Sequence, residues 1–131
     1  MKTALRINTD FTTEILDLET DSLTQLQEAV GGLVQAADLR DDLTLWCNEE
    51  GKLINGMLAN VIGTHMWEKS FGMTDIIMGD IVFTGGTDDE GDNLALPTAW
   101  LVQLQELAAK LRKAYEAESE LSLLDIIFWS A

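Results

Sequence analysis

The sequence holds one cysteine, one histidine and one proline in 131 residues, and only eight lysines and arginines against 23 aspartates and glutamates. The lone cysteine, Cys47, excludes an internal disulfide framework and a thiolate zinc cluster. The lone histidine, His65, excludes a two-histidine metal site and leaves few general bases. A single proline with ten glycines leaves no linker or low-complexity repeat. No window reaches the roughly 18–20 apolar residues that a membrane span needs. The shortage of cations gives a formal net charge of -15 and a pI near 4.1. Direct binding to nucleic acid or to an anionic membrane is therefore disfavoured, because both are polyanions. What is present is a hydrophobic content of 47%, too high for a disordered acidic tail. The length suits one domain able to bury a core without metals or disulfides. From Met1 to Asp10 the amino end carries no apolar signal-peptide core, so a cytoplasmic location is expected.

Local patterns outline the elements. Thr3 to Asn8 and Thr12 to Asp17 are short β-prone runs joined around Thr9-Asp10-Phe11, which predicts a hairpin. Asp21 or Ser22 is placed to cap a helix through Val30, with Leu23, Leu26 and Val30 at spacings of three and four. Gly31-Gly32 should end it. Strands are predicted at Leu33 to Ala37 and at Leu43 to Asn48. In the second, Leu43, Leu45 and Cys47 alternate with Thr44, Trp46 and Asn48, so one face should be buried. A turn over Asn48 to Lys52 would use Gly51 at positive φ. A second helix is expected between Leu58 and Ser70, and a strand over Ile76 to Thr84 with Gly79 marking a bulge. After a polar loop from Thr87 to Asn93, Pro97 or Thr98 opens a long helix. Its apolar seam is Leu101, Leu104, Ala108, Leu111 and Tyr115. The final stretch, Leu121 to Ala131, is strongly apolar and must pack on its own domain or on another chain.

The run Asn48-Glu49-Glu50-Gly51-Lys52-Leu53, then Trp67, then Gly79-Asp80-Ile81-Val82-Phe83-Thr84-Gly85 and Asp88-Asp89-Glu90-Gly91, resembles a small family carried by bacteria, plasmids and phages, the domain of unknown function 3846. The resemblance covers about residues 1–96. Relatives are expected to carry Gly-Leu-Pro-x-Asn after the first turn. Here Asn55-Gly56-Met57-Leu58-Ala59-Asn60 keeps the late asparagine and lacks the proline. The resemblance implies a compact cytosolic α+β domain. It brings no established activity, so no catalytic residue is carried over.

Candidate chemistry is sparse. Asp88, Glu90 and Asp92 have the alternation that opens an EF-hand loop, but Asn93 and Ala99 stand where glycine and glutamate are required, and a solvated loop is the better reading. Glu49 and Glu50 are adjacent on a turn and point in different directions, which suits no paired acid–base role. His65 and Cys47 would form a base and nucleophile only if the fold joins them; Cys47 is expected to be an inert inward-facing residue. No cofactor is implied. Trp46, Trp67, Trp100 and Trp129 are read as core anchors ahead of partner hot spots.

The charge invites the idea of a DNA mimic. A folded chain of this mass exposes roughly 6,900 Å², or one net charge per ~450 Å². Duplex DNA carries one per ~100 Å². Spread evenly, the charge is about fourfold too dilute, so placement must decide. No basic residue lies between Lys69 and Lys110, and the acidic surface is expected there, on Asp75, Asp80, Asp88, Asp89, Glu90 and Asp92. The fold expected is α+β: a small, mainly antiparallel sheet with helices packed on one face, over 1–96, and a C-terminal helical extension, 97–131, packed on the domain or on a partner chain. The function expected is a non-enzymatic interaction protein of phage or plasmid type, engaging a basic protein and inhibiting a nucleic-acid-binding defence protein. The alternative is a self-assembling protein, a homodimer built on Leu104, Leu111, Tyr115, Ile127, Phe128 and Trp129.

Overall fold

A computed structural model describes residues 1–19 and 22–117. The strands are β1 (Thr3–Ile7), β2 (Thr13–Asp17), β3 (Val34–Arg40), β4 (Leu43–Asn48) and β5 (Ile81–Thr84). The α-helices are α1 (Leu23–Val30), α2 (Val61–Phe71) and α3 (Thr98–Glu116). The five strands form one antiparallel sheet in the order β2-β1-β5-β4-β3. The α+β class is thus the observed one. The proposed cap Asp21 and the apolar terminus, with Ile127, Phe128 and Trp129, lie outside the described residues.

Strand parity explains the layers. Leu5 and Ile7 of β1, Leu43, Leu45 and Cys47 of β4, and Ile81 and Phe83 of β5 point to one face. There they meet Ile62 and Met66 of α2 and Leu104, Ala108 and Leu111 of α3. The opposite parity, Ala4 and Val82, meets Leu26, Ala29 and Val30 of α1, with Trp46 packed alongside. The helices therefore cover both faces, not one as the sequence suggested. This is why all four residues of β5 are buried, and why β4 is buried on both sides instead of alternating.

The polar residues of β4 that α1 covers are each satisfied. The Thr44 hydroxyl donates to Asp38 Oδ1 (2.9 Å), Trp46 Nε1 to Thr84 Oγ1 (2.9 Å), and Asn48 Nδ2 to the Val30 carbonyl (3.1 Å). Alternation of Leu and polar residues thus marks two buried faces of different chemistry.

Two segments depart from expectation. Ile76–Asp80 does not continue β5: Met78 pairs with Ala59, and Gly79 at φ 83 turns the chain before Ile81. Gly51 does not adopt positive φ; it begins a short 3-10 turn, where a Cβ would lie 3.0 Å from Met78 Cβ. Close approach, not backbone conformation, is its constraint.

Asn60 joins three elements. It caps α2 by accepting from Gly63 N (3.0 Å), and its Nδ2 donates to the carbonyls of Ile7 and Gly79 (3.0 Å each). At the opposite end of α3, Arg112 donates to the Asp10 carbonyl (3.0 Å), and Tyr115 meets Phe11 edge-on, with ring centroids 5.8 Å apart. These contacts hold the β1–β2 turn, where buried Phe11 sits at φ 71, in the region that non-glycine residues rarely enter. The described part of the C-terminal extension is thus packed on the domain.

Candidate functional site

The antiparallel order gives the sheet two unlike ends. At the exit end, β5 leaves the sheet, β1 begins, β2 finishes, and the β3–β4 turn lies. The pairings Thr3↔Asp17, Arg40↔Leu43 and Thr44↔Thr84 place these segments side by side. The loop after β5 folds back on itself through Thr87↔Asn93 and abuts its neighbours. A Cβ on Gly86 would collide with the Asp41 carbonyl, Asn93 Nδ2 donates to Ser22 Oγ (2.9 Å), and Leu96 N donates to the Thr3 carbonyl (2.7 Å). Asp17, Glu19, Asp41, Asp42, Asp88, Asp89, Glu90 and Asp92 are brought together here, and all are exposed. The cations that this topology places beside them are Lys2 and Arg40. Among the described residues, none of these eight carboxylates lies within ion-pair distance of a cation.

Three of the eight have structural duties. Asp17 Oδ1 accepts from Lys2 N (2.9 Å), tying the end of β2 to the start of the chain. Asp88 Oδ1 accepts from Glu90 N (2.9 Å) and Asp92 N (3.0 Å), which fixes the loop and presents Asp89, Glu90 and Asp92 outward. Asp42 Oδ1 accepts from Trp100 Nε1 (3.0 Å), tying the β3–β4 turn to the start of α3.

At the other end, which holds the β1–β2 turn, three acids are paired with cations, while Glu28, Glu49 and Glu50, and Glu14 on β2, are exposed and in no ion pair among the described residues. Asp80 pairs with Arg6 (3.1 Å) and accepts from Thr9 N (3.0 Å). Asp75 pairs with Lys52, and Asp10 with Arg112 (3.6 Å). The hydrogen bond from Lys52 holds the Asp75 carboxyl below its usual range, and the bonds from Thr12 do the same for Asp10. The six acids expected to form one surface are therefore divided. Asp88, Asp89, Glu90 and Asp92 lie at the exit end, while Asp75 and Asp80 lie at the other, separated by the length of β5, about 13 Å. The sequence reading missed Asp41 and Asp42 as members of the acidic surface. Their signal was an acidic pair in a two-residue connection between strands.

The seam proposed for self-assembly is used inside the chain. Leu104 is 2% exposed and Leu111 0%, both in the core against the sheet, so they are not available to a second chain. Tyr115 is half-exposed, with its ring on Phe11 and the Arg112 guanidinium 5.6 Å from its centroid.

His65 and Cys47 are not brought into one cavity. Cys47 lies beside Asn48, Asp75 and Ile77, and burial pushes its thiol pKa up, away from the thiolate. His65 lines a separate cleft between α2 and α3, where burial, then Lys69, lower its pKa. Among the described residues, no group of three or more His, Cys, Asp or Glu side chains is disposed to hold a metal ion, and no helix is long and apolar enough to cross a membrane. Trp46, Trp67 and Trp100 each donate an indole N–H to a polar partner while their rings pack on the two cores.

Fold and surface together define a small antiparallel α+β domain with one strongly acidic end. The chain belongs to the family described as Domain of unknown function (DUF3846), whose sequence profile matches residues 1–109 and so extends into α3. No curated protein and no solved structure matches it.

Proposed function

We propose that this chain is a non-enzymatic interaction protein whose exit end binds a basic protein. The single observation that supports this reading is the gathering of carboxylates: eight exposed ones without an ion pair converge at the exit end of the sheet, while the other end mixes the paired Asp10, Asp75 and Asp80 with fewer unpaired acids.

A density estimate gives the gathering its weight. Five strands at ~4.8 Å and three layers of ~10 Å, the sheet with helices on both faces, give the exit end a cross-section of roughly 700 Å². Eight carboxylates less Lys2 and Arg40 leave about one net charge per 120 Å² of that cross-section, against one per ~100 Å² for duplex DNA. Over the whole surface of 7573 Å² the net charge of -15 averages only one per ~500 Å². Gathering therefore supplies the factor that composition lacks. A partner that offers arginines and lysines to a phosphate backbone would meet a comparable field here. On this reading the partner is a cytosolic nucleic-acid-binding defence protein, the chain acts on it as an inhibitor of phage or plasmid type, and binding weakens steeply with salt.

The test is capture from a bacterial lysate at low ionic strength with the native chain and the variant D88N/D89N/E90Q/D92N, each challenged with duplex DNA. The expected result is a basic protein retained by the native chain, released by DNA, and absent from the variant. Equal retention by the two chains, or retention indifferent to DNA, would overturn the proposal.

A further inference from the structure

The eight cations of this acidic chain are not scattered evenly. Three of them, Arg40, Lys69 and Lys110, line the cleft between α2 and α3, whose lining numbers eleven residues. Eleven positions drawn at random from 131 would hold fewer than one of the eight. Helical spacing produces the convergence. His65 and Lys69 are four apart on α2, and Trp100, Gln103, Leu107 and Lys110 recur at three and four on α3. Both helices lean on the sheet through other faces, α2 with Ile62 and Met66 and α3 with Leu104, Ala108 and Leu111, so these stripes face one another across a gap. Arg40 enters from the end of β3, and Ser70 closes the floor by donating to the Leu39 carbonyl (3.1 Å). The gap has a volume of about 310 Å³.

A second observation bears on a ligand. His65 borders the same cleft, and among the described residues its ring makes no hydrogen bond, so its nitrogens are open to a group that enters the cleft. Arg40 and Lys69 likewise pair with no carboxylate among the described residues, although acids outnumber bases 23 to 8. Trp100 and Leu107 supply apolar wall, with the Trp100 indole oriented by its bond to Asp42.

We propose that this cleft binds a small dianion carrying a planar ring, the chemistry of a nucleoside monophosphate. Arg40 and Lys69 hold the anionic group, His65 bonds to it or to its ring, and Trp100 packs on the ring. The volume lies at the lower end of the range for small-molecule sites, ~300–1,000 Å³. It admits one such molecule, and the field of the remaining carboxylates opposes a polyanion. This site adjoins the acidic surface, since Arg40 borders both and Trp100 is held by Asp42, but it is tested with different residues and a different ligand from the proposal above.

The single histidine is its own reporter, since only one imidazole Hε1 resonance exists in the intact chain. The groups around that ring are Lys69 and Glu68 on its own helix, Arg40 on β3, and Glu106 and Lys110 on α3. AMP is titrated against native protein at pH 7, with adenosine, inorganic phosphate and a 5′-phosphorylated oligothymidylate as parallel probes. AMP is expected to move the His65 resonance saturably and to raise the pH at which it titrates. Adenosine or phosphate alone should bind at least tenfold more weakly. R40Q/K69Q should weaken AMP by about tenfold, equivalent to about 1.4 kcal/mol. K113Q, which removes one exposed positive charge on α3 outside the cleft, should weaken it less than twofold. No saturable shift with AMP, equal losses in R40Q/K69Q and K113Q, or tighter binding of the oligonucleotide than of AMP would each overturn the proposal.

Discussion

Replacement of Asn60 tests whether one side chain joins the sheet to α2. Asn60 is 1% exposed and makes three hydrogen bonds with three separate segments. In N60A the cap on Gly63 N is lost, at about 1 kcal/mol. The Ile7 and Gly79 carbonyls lose a donor each, at about 1 kcal/mol apiece. The vacated space adds to this, for a total of about 3–4 kcal/mol. With a urea slope of roughly 2 kcal/mol/M, the unfolding midpoint should fall by about 1.5–2 M.

N60D separates the contributions. The carboxylate keeps the cap acceptor but faces two carbonyls without a proton to give. At pH 7 N60D should therefore be at least as damaged as N60A. The carboxyl pKa is raised in the folded state above its unfolded value of ~3.9, so the penalty is present above the folded pKa and relieved as pH falls through it. The gap between N60D and the native chain should then narrow toward pH 4 while that of N60A stays constant. An N60D chain within about 1 kcal/mol of native at pH 7 would refute the reasoning.

Other expectations are smaller. G63A places a Cβ 2.9 Å from Ile81 Cδ1 and 3.1 Å from Ile77 Cγ2; overpacking should outweigh the gain in helix propensity and cost about 1 kcal/mol net. Adding I81V removes the nearest atom, so the double variant should be more stable than I81V alone, read by thermal melts. K52M should cost under about 1 kcal/mol at pH 7, because the pair with Asp75 is partly exposed. Asp75 has a lowered folded pKa, so that contribution is present above its unfolded value and vanishes as pH falls through the folded one; native and K52M midpoints should converge in acid. T84V deprives Trp46 Nε1 of its acceptor and should cost about 1 kcal/mol, whereas T84V in a W46F background should be nearly neutral by comparison.

The sequence was most legible where one physical rule acted alone. β4 runs from Leu43 to Asn48 as its alternation predicted, and α3 opens at Thr98 after the only proline. The alternation was misread only in its outer face. Thr44, Trp46 and Asn48 are polar or amphipathic yet covered by α1, and their hydrogen-bond partners come from other strands and a helix end. In Ile76–Asp80, β-branched residues suggested strand, but Gly79 and the grip of Asn60 on its carbonyl divert the chain. The seam on α3 was read correctly as apolar, with its own domain and a second chain both left open as partners, since period alone does not say which surface a stripe meets. The acidic surface was half legible: Asp88 to Asp92 is a visible cluster, while Asp17, Glu19, Asp41 and Asp42 join it only through strand order. The basic cleft was not anticipated, because Arg40 joins Lys69 and Lys110 only through the packing of α2 and α3 beside the end of β3.

The central claim is that placement, not total charge, makes the exit end the binding surface. Isothermal titration of a twenty-residue oligolysine at low salt tests it most directly, with native protein, D88N/D89N/E90Q/D92N, and E14Q/E28Q/E49Q/E50Q. Both variants remove four negative charges; the second set lies on β2, at the end of α1 and on the β4 turn, away from the exit end. The loop variant should lose roughly tenfold in affinity and the other less than threefold. Equal losses would show a uniform field and contradict the claim.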